Sequence, residues 1–171
     1  MNTFSLMGEF HRIWVVGPQR SGTRVVAKMI AHDTYRDYVD ETRFMVDSLH
    51  QLQNILTNKG PKKIVVHGPG ITRWVHVLAG LSDAVVFCWR DLEDVIKSQE
   101  RWWTKDRVES IKYHRTAGSA EAKQEYWKTK QKALSPNPTT LRFPEDIEDH
   151  PMYISKDRRG FFAWDQTKEI P

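Results

Sequence analysis

The stretch Ile13-Trp14-Val15-Val16-Gly17-Pro18-Gln19-Arg20-Ser21-Gly22-Thr23-Arg24-Val25-Val26-Ala27-Lys28-Met29-Ile30 decides how this chain is read. The apolar run suits a buried strand, the glycine-bounded segment a tight loop, and the residues from Thr23 a helix start. That order aims backbone N–H groups and the positive end of a helix dipole at one point, which makes an anion site. Gly17 and Gly22 bracket four residues, as in a Walker loop, but Thr23-Arg24 stand where Lys and then Ser or Thr belong. The lysine that reaches the β- and γ-phosphates and the hydroxyl that sits on Mg²⁺ are both missing from those positions. Arg20 carries the cation inside the loop instead. The expectation is a loop that holds a phosphate-like group, but not MgATP in its usual arrangement.

Strand and helix signals alternate outward from this loop. Segments 12–16, 35–39, 63–67 and 84–89 read as strands, the second more weakly. The continuous runs Ile64-Val65-Val66 and Val85-Val86-Phe87-Cys88 suit strands buried on both faces of a parallel sheet. Segments 23–32, 42–57, 71–79 and 92–103 read as helices, and Met45, Leu49, Leu52, Ile55 and Leu56 keep helical spacing. The expected fold class is α/β: a three-layer sandwich around a central, mostly parallel sheet with right-handed crossovers, of the P-loop NTPase kind. Ligands on such sheets bind at the carboxyl ends of the strands. The glycine loop, His67 and Arg90 therefore share one rim.

The later half is more polar. Segment 117–134, rich in Ala, Glu, Lys and Gln, reads as an exposed helix. Ser135-Pro136-Asn137-Pro138 breaks it, 140–143 reads as a late strand, and 105–115 as a polar loop or lid. With 171 residues the chain suits one domain, 1–171: a nucleotide-binding core over 12–104 and a helical or irregular acceptor-side and C-terminal segment over 105–171.

A 39% hydrophobic and 28% charged composition is that of an ordinary globular protein. The net charge of +4 and pI near 9.2 suit an anionic ligand. The basic residues are scattered and form no recognition motif, so no nucleic-acid partner is expected. Cys88 is the only cysteine, which excludes an internal disulfide, and its apolar strand suits a buried, inert thiol. No apolar run approaches a membrane span, and residues 1–10 are too short and polar for a signal peptide. Cytoplasmic residence with no membrane partner is the expectation. No Cys/His/Asp/Glu spacing suggests a metal site.

Four segments, in this order, resemble sulfotransferases that use 3′-phosphoadenosine 5′-phosphosulfate (PAPS). Pro18-Gln19-Arg20-Ser21-Gly22-Thr23 is similar to that family's 5′-phosphosulfate loop, with Gln19 inserted and Arg24 in place of a second Thr. Val66-His67-Gly68-Pro69 is similar to the segment that supplies the catalytic base in the cytosolic branch. Arg90-Asp91-Leu92-Glu93-Asp94-Val95-Ile96-Lys97-Ser98 resembles the 3′-phosphate segment, with the family's spacing of eight from Arg to Ser and Leu92 in place of Pro. Leu141-Arg142-Phe143-Pro144-Glu145-Asp146-Ile147 is the fourth. A weaker match, Arg158-Arg159-Gly160, is similar to a segment that closes over the 3′-phosphate in some members.

The resemblance implies a co-substrate, PAPS or its product PAP, and an acceptor hydroxyl or amine whose identity the residues do not give. It implies that Gln19, Arg20, Ser21, Gly22, Thr23 and Arg24 hold the 5′-phosphosulfate, with Arg20 also stabilising the leaving phosphate. Arg90 and Ser98 grip the 3′-phosphate, and Arg158, Arg159 and Gly160 add to it. His67 is the implied base, and Glu41 is its rival, placed where other branches have a glutamate. Trp89, Trp102 and Trp103 are candidates to stack on adenine. The acceptor pocket would come from residues 104–140 or from a partner subunit of a homo-oligomer. Two other readings stay open: a divergent P-loop nucleotide or small-molecule kinase, and a non-catalytic nucleotide-binding protein. Against the kinase, segments 63–67 and 84–89 end in His and Trp rather than in a Walker-B acid.

Overall fold

The computed structural model describes residues 4–43, 48–59, 63–102, 118–133 and 137–154. Five strands form one sheet: β1 (Arg12–Val16), β2 (Asp37–Val39), β3 (Ile64–His67), β4 (Ala84–Trp89) and β5 (Pro138–Arg142). Their order is β2-β3-β1-β4-β5, and every neighbouring pair is parallel. "Mostly parallel" is thus all parallel in this sheet. The helices are α1 (Thr23–Asp33), α2 (Ser48–Lys59), α3 (Val75–Leu78), α4 (Leu92–Trp102), α5 (Ala120–Lys130) and α6 (Pro151–Ile154).

The three layers follow from side-chain alternation along the strands. Ile13 and Val15 of β1, Val65 of β3 and Val86 of β4 pack on one face with Val26, Met29 and Ile30 of α1. Trp14, Val16, Val66, Val85 and Phe87 pack on the other with Leu52 of α2, Val75 of α3 and Trp127 of α5. Both faces are buried, which is why the central strands read as unbroken apolar runs. Trp14 is fully buried, and its indole N–H is satisfied by Asp83 Oδ2 at 3.0 Å.

Four expectations need correction. Segment 71–79 is not one helix: Pro69–Trp74 is a 3-10 turn and only Val75–Leu78 is α-helical. Thr72 explains the tight turn, since its hydroxyl lies 2.7 Å from the Pro69 carbonyl and 3.1 Å from that of Gly17. Segment 42–57 starts as a 3-10 turn, Glu41–Arg43, and its α-helix runs over Ser48–Lys59. The helix expected over 117–134 covers Ala120–Lys130 and is not simply exposed, because Lys123, Gln124 and Trp127 are buried. The late strand starts at Pro138, and Pro suits the first position of an edge strand. The segment 105–115 lies outside the described residues.

Register sets the functional rim. Val15 pairs with His67, Val16 with Phe87, and Trp89 with Arg142. The loop after β1, His67 at the end of β3 and Arg90 after β4 are thereby brought to the carboxyl edge of the sheet. Gly68 N–H donates to Val15 C=O at 3.0 Å, extending the pairing to that edge.

Candidate functional site: an anion loop over a buried strand-end cluster

The loop between β1 and α1 is built on backbone that side chains tolerate poorly. Gly17 has φ +135°, and a Cβ there would lie 2.8 Å from the Cys88 carbonyl oxygen. Gly22, the N-terminal cap of α1, has φ +84°, and a Cβ there would lie 2.2 Å from the Phe143 ring. Between them Arg20 is also left-handed, at φ +75°. A non-glycine residue in that region costs of order 1–3 kcal/mol and persists where its surroundings hold it.

Three side chains beyond β4 hold the loop. Arg20 Nε donates to Ser98 Oγ at 3.1 Å, and Arg90 Nη1 donates to the Arg20 carbonyl at 2.9 Å. Gln99 Nε2 donates to the Gln19 carbonyl at 2.9 Å. Arg90 is itself placed, 5.7 Å over the Phe143 ring, with its carbonyl accepting from Gln124 Nε2 at 2.8 Å. Inside the loop Ser21 is fully buried, and its hydroxyl donates to the Pro18 carbonyl. Gly17 N–H donates to Thr72 Oγ1 at 2.9 Å. The expected loop residues and the expected 3′-phosphate residues, Arg90 and Ser98, thus meet at Arg20.

Beneath the loop lies a buried polar cluster. Thr23 Oγ1 is 2.9 Å from His67 Nε2. His67 Nδ1 lies 3.4 Å from Asp40 Oδ2 but out of line, and it has no hydrogen-bond partner among the described residues. Asp40 also takes the Arg24 guanidinium at 3.2 Å, the Tyr38 hydroxyl, and Thr42 N–H at 3.0 Å. Burial alone would raise the Asp40 pKa. Contact with His67, then the Arg24 charge and the Tyr38 hydroxyl, outweigh it and hold this carboxyl below its ordinary range.

Glu41 is 3% exposed, and its Oε2 accepts from Gly70 N–H at 3.2 Å. Burial raises its pKa, with Asp40 adding to the effect, while His67, the Gly70 N–H and Lys123 oppose it. Lys123 of α5 is 2% exposed, and burial pushes its pKa down to about 8. Among the described residues no group of three or more His, Cys, Asp or Glu is placed to hold a metal ion.

The two base candidates, His67 and Glu41, therefore sit beneath the rim rather than on it, with His67 only 2% exposed. Arg24 lies against Asp40 at 3.2 Å. Trp89 is half-buried, with the Lys128 ammonium 5.5 Å from its ring centre. Arg158, Arg159 and Gly160, the Trp102 side chain and Trp103 lie outside the described residues. Cys88 is fully buried, and burial pushes its thiol pKa up, in line with an inert thiol.

Sequence reasoning passed over Asp40, Thr72, Gln99 and Lys123. Only Asp40 had a usable signal, an acid at the end of a short strand beside the singled-out Glu41. Thr72 and Gln99 act through backbone groups distant in sequence, and Lys123 sits in a segment whose composition reads as surface.

No protein-family model matches this chain, and no curated protein matches it. Among solved structures it aligns with shikimate kinase from Acinetobacter baumannii in complex with shikimate, over 81% of this chain and 87% of that one, at 13% identity and a TM-score of 0.46. No helix among the described residues is long and apolar enough to cross a membrane.

Proposed function

We propose that this chain binds a phosphorylated nucleotide at the loop 17–22 and transfers a group from it. The observation that carries the reading is the meeting at Arg20: its guanidinium touches Ser98 and its carbonyl is held by Arg90. Two arginines and a helix N-terminus then face one another across a short loop, a setting for a ligand with more than one phosphate.

The donor we favour is PAPS, carried to an acceptor hydroxyl or amine. Arg20 and the N–H groups that open α1 would hold the 5′-phosphosulfate, and Arg90 with Ser98 the 3′-phosphate. The acceptor oxygen or nitrogen forms a bond to sulfur as the bond from sulfur to the bridging oxygen breaks. PAP leaves with the electron pair, and Arg20 stabilises the charge that grows on it. The acceptor proton goes to His67 or Glu41. Both are buried, so an acceptor must reach in to the strand ends, or its proton must pass through the Thr23 hydroxyl, which already contacts His67.

A second reading is phosphoryl transfer from a nucleoside triphosphate on the same scaffold. Asp40 favours it, because an ionised carboxylate at the end of β2, close to the start of α1, suits a base or a metal-facing group in such chemistry.

The test is the melting temperature with PAP and, separately, with ATP plus Mg²⁺. A ligand at a hundredfold excess over its Kd adds about 2.7 kcal/mol. That shifts the melt of a domain of this size by roughly 5–10 °C. The favoured reading expects a PAP shift that Arg90→Ala abolishes and none with MgATP. A MgATP shift without PAP preference would replace it with the kinase.

A further inference from the structure

Lys123 does not reach water as lysines ordinarily do. It is 2% exposed, although a lysine stem usually carries its ammonium out to solvent. Its neighbours on α5 fix it there. Gln124 Nε2 donates to the Arg90 carbonyl at 2.8 Å, Trp127 Nε1 donates to Thr140 Oγ1 at 2.7 Å, and the Tyr126 hydroxyl meets His76 Nδ1 of α3 at 2.6 Å. Burial disfavours the Lys123 charge most; the Glu41 charge opposes burial, and the Arg73 charge adds to it. Among the described residues neither the Lys123 ammonium nor the Arg73 guanidinium has a hydrogen bond, ion pair or ring contact. Arg73 lies against Gly118, where a Cβ would stand 3.0 Å from its Cδ and Nη1. Gly118 precedes Ser119, the N-terminal cap of the 11-residue α5, and Lys123 N–H closes the first turn on the Ser119 carbonyl at 3.0 Å. Two cations are thus held at the positive end of a helix, and one of them is buried. A buried charge without a partner is costly, and a like charge beside it adds to the cost. The opposing charge, Glu41, is already engaged by Gly70 N–H at 3.2 Å. The group that would complete this arrangement is an anion.

We propose that Lys123 and Arg73 form an oxyanion site for the acceptor, which therefore carries a carboxylate or phosphate group besides its reactive hydroxyl or amine. Arginine offers such a group two parallel N–H bonds, and lysine adds a compact charge. Arg73 is exposed and Lys123 is not, so an anion arriving from solvent meets the guanidinium first and the ammonium beneath it. The place in the fold supports the acceptor assignment. Arg73 belongs to the turn Pro69–Trp74 that follows β3. The same turn gives Gly70 N–H to Glu41, a base candidate, and Thr72 Oγ1 to Gly17 of the glycine loop. The site lies on the face of the sheet opposite α1, where α3 and α5 pack. No bond forms or breaks at this site; it orients the acceptor. The acceptor assignment rests on the proposed group transfer, whereas the anion site rests on the placement of these two cations.

Acetate and methyl phosphate are the probes, with acetamide as the neutral match for acetate. Binding is read by NMR from the amide shifts of Gly118, Ser119 and Ala122 and from the ε-carbon of Lys123. The amides of Gly22 and Thr23 report separately on the glycine loop. At least one of the anions is expected to move the first set, and acetamide to leave it in place. A response to acetate admits a carboxylate, and one confined to methyl phosphate a phosphate. Loss of one charge-assisted contact weakens binding by about tenfold or more. Arg73→Gln and Lys123→Met should each lower the affinity read at Gly118 by that factor and leave any response of the glycine loop as it was. Arg73 is exposed, so Arg73→Gln decides the matter if Lys123→Met fails to fold. The site is overturned if neither anion moves these amides, if acetamide moves them as acetate does, or if Arg73→Gln binds as wild type does. An anion site at α5 in a chain whose melting temperature responds to neither PAP nor MgATP would keep the site and overturn its assignment to the acceptor.

Discussion

At the scale of single residues, Gly22 meets two demands at once. Its φ of +84° belongs to the left-handed region, and the Phe143 ring fills the space where a Cβ would stand. Gly22→Ala must therefore strain the backbone and displace an aromatic ring that also supports Arg90. The expected cost is about 2–4 kcal/mol of unfolding free energy by urea titration, with loss of the melting shift that the proposed function expects from PAP. A loss under about 1 kcal/mol would mean that Phe143 swings aside freely. Both glycines and Arg20 were legible in the sequence because a loop between a strand and a helix is a local feature. Asp40 was less so. Its importance comes from Arg24, Tyr38 and His67, three partners on three elements, and no spacing rule joins them.

Helices and strands show the same division. β1, β3 and β4 were readable because burial on both faces leaves a continuous apolar run. The 3-10 turn at Pro69–Trp74 was not, since what tightens it is a hydroxyl bonded across to Gly17 in another loop. α5 is the instructive case: its composition reads as surface, yet Trp127 stacks on Phe87 at 4.9 Å and carries Lys123 inward with it. The Lys123 pKa is depressed to about 8 by burial, the Glu41 charge opposing and Arg73 adding. The unfolded chain, with lysine near 10.4, then binds more protons than the native state between about pH 8 and that value. Stability from this group rises with pH across that window, by at most about 1.4 kcal/mol per pH unit. Lys123→Met should be more stable than wild type at pH 7, and its advantage should fade as pH approaches 10. Urea titrations at pH 7, 8.5 and 10 measure this. An advantage that stays constant with pH would mean that Lys123 titrates normally.

Across the whole molecule, the ends of the described chain meet on the side of the sheet that α1 covers. Asp33, at the last turn of α1, accepts from Phe4 N–H at 2.8 Å, from His150 Nε2 at 2.7 Å and from His32 Nδ1 at 3.1 Å. Phe4 and His150 stack with ring centres 5.5 Å apart, and His150 is 1% exposed. One carboxylate thus fastens the N-terminal turn and the segment after β5 to the helix that opens at the loop. Burial works to raise the Asp33 pKa, but His150, the Phe4 N–H and His32 together hold it below the ordinary value. A carboxyl with a depressed native pKa contributes stability that is present above its unfolded pKa, near 3.9, and is lost as pH falls through the lower native value. Asp33→Asn keeps the shape, removes the charge, and should cost about 1–3 kcal/mol at pH 7. The cost should shrink steadily below pH 4, because the wild type then loses what the variant already lacks. Melting curves of both proteins from pH 7 down to pH 2.5 decide it. Parallel curves over that range would show that Asp33 holds these segments by shape alone. Converging curves would show that the Asp33 charge, at the far end of α1 from the glycine loop, fastens these two segments to the helix.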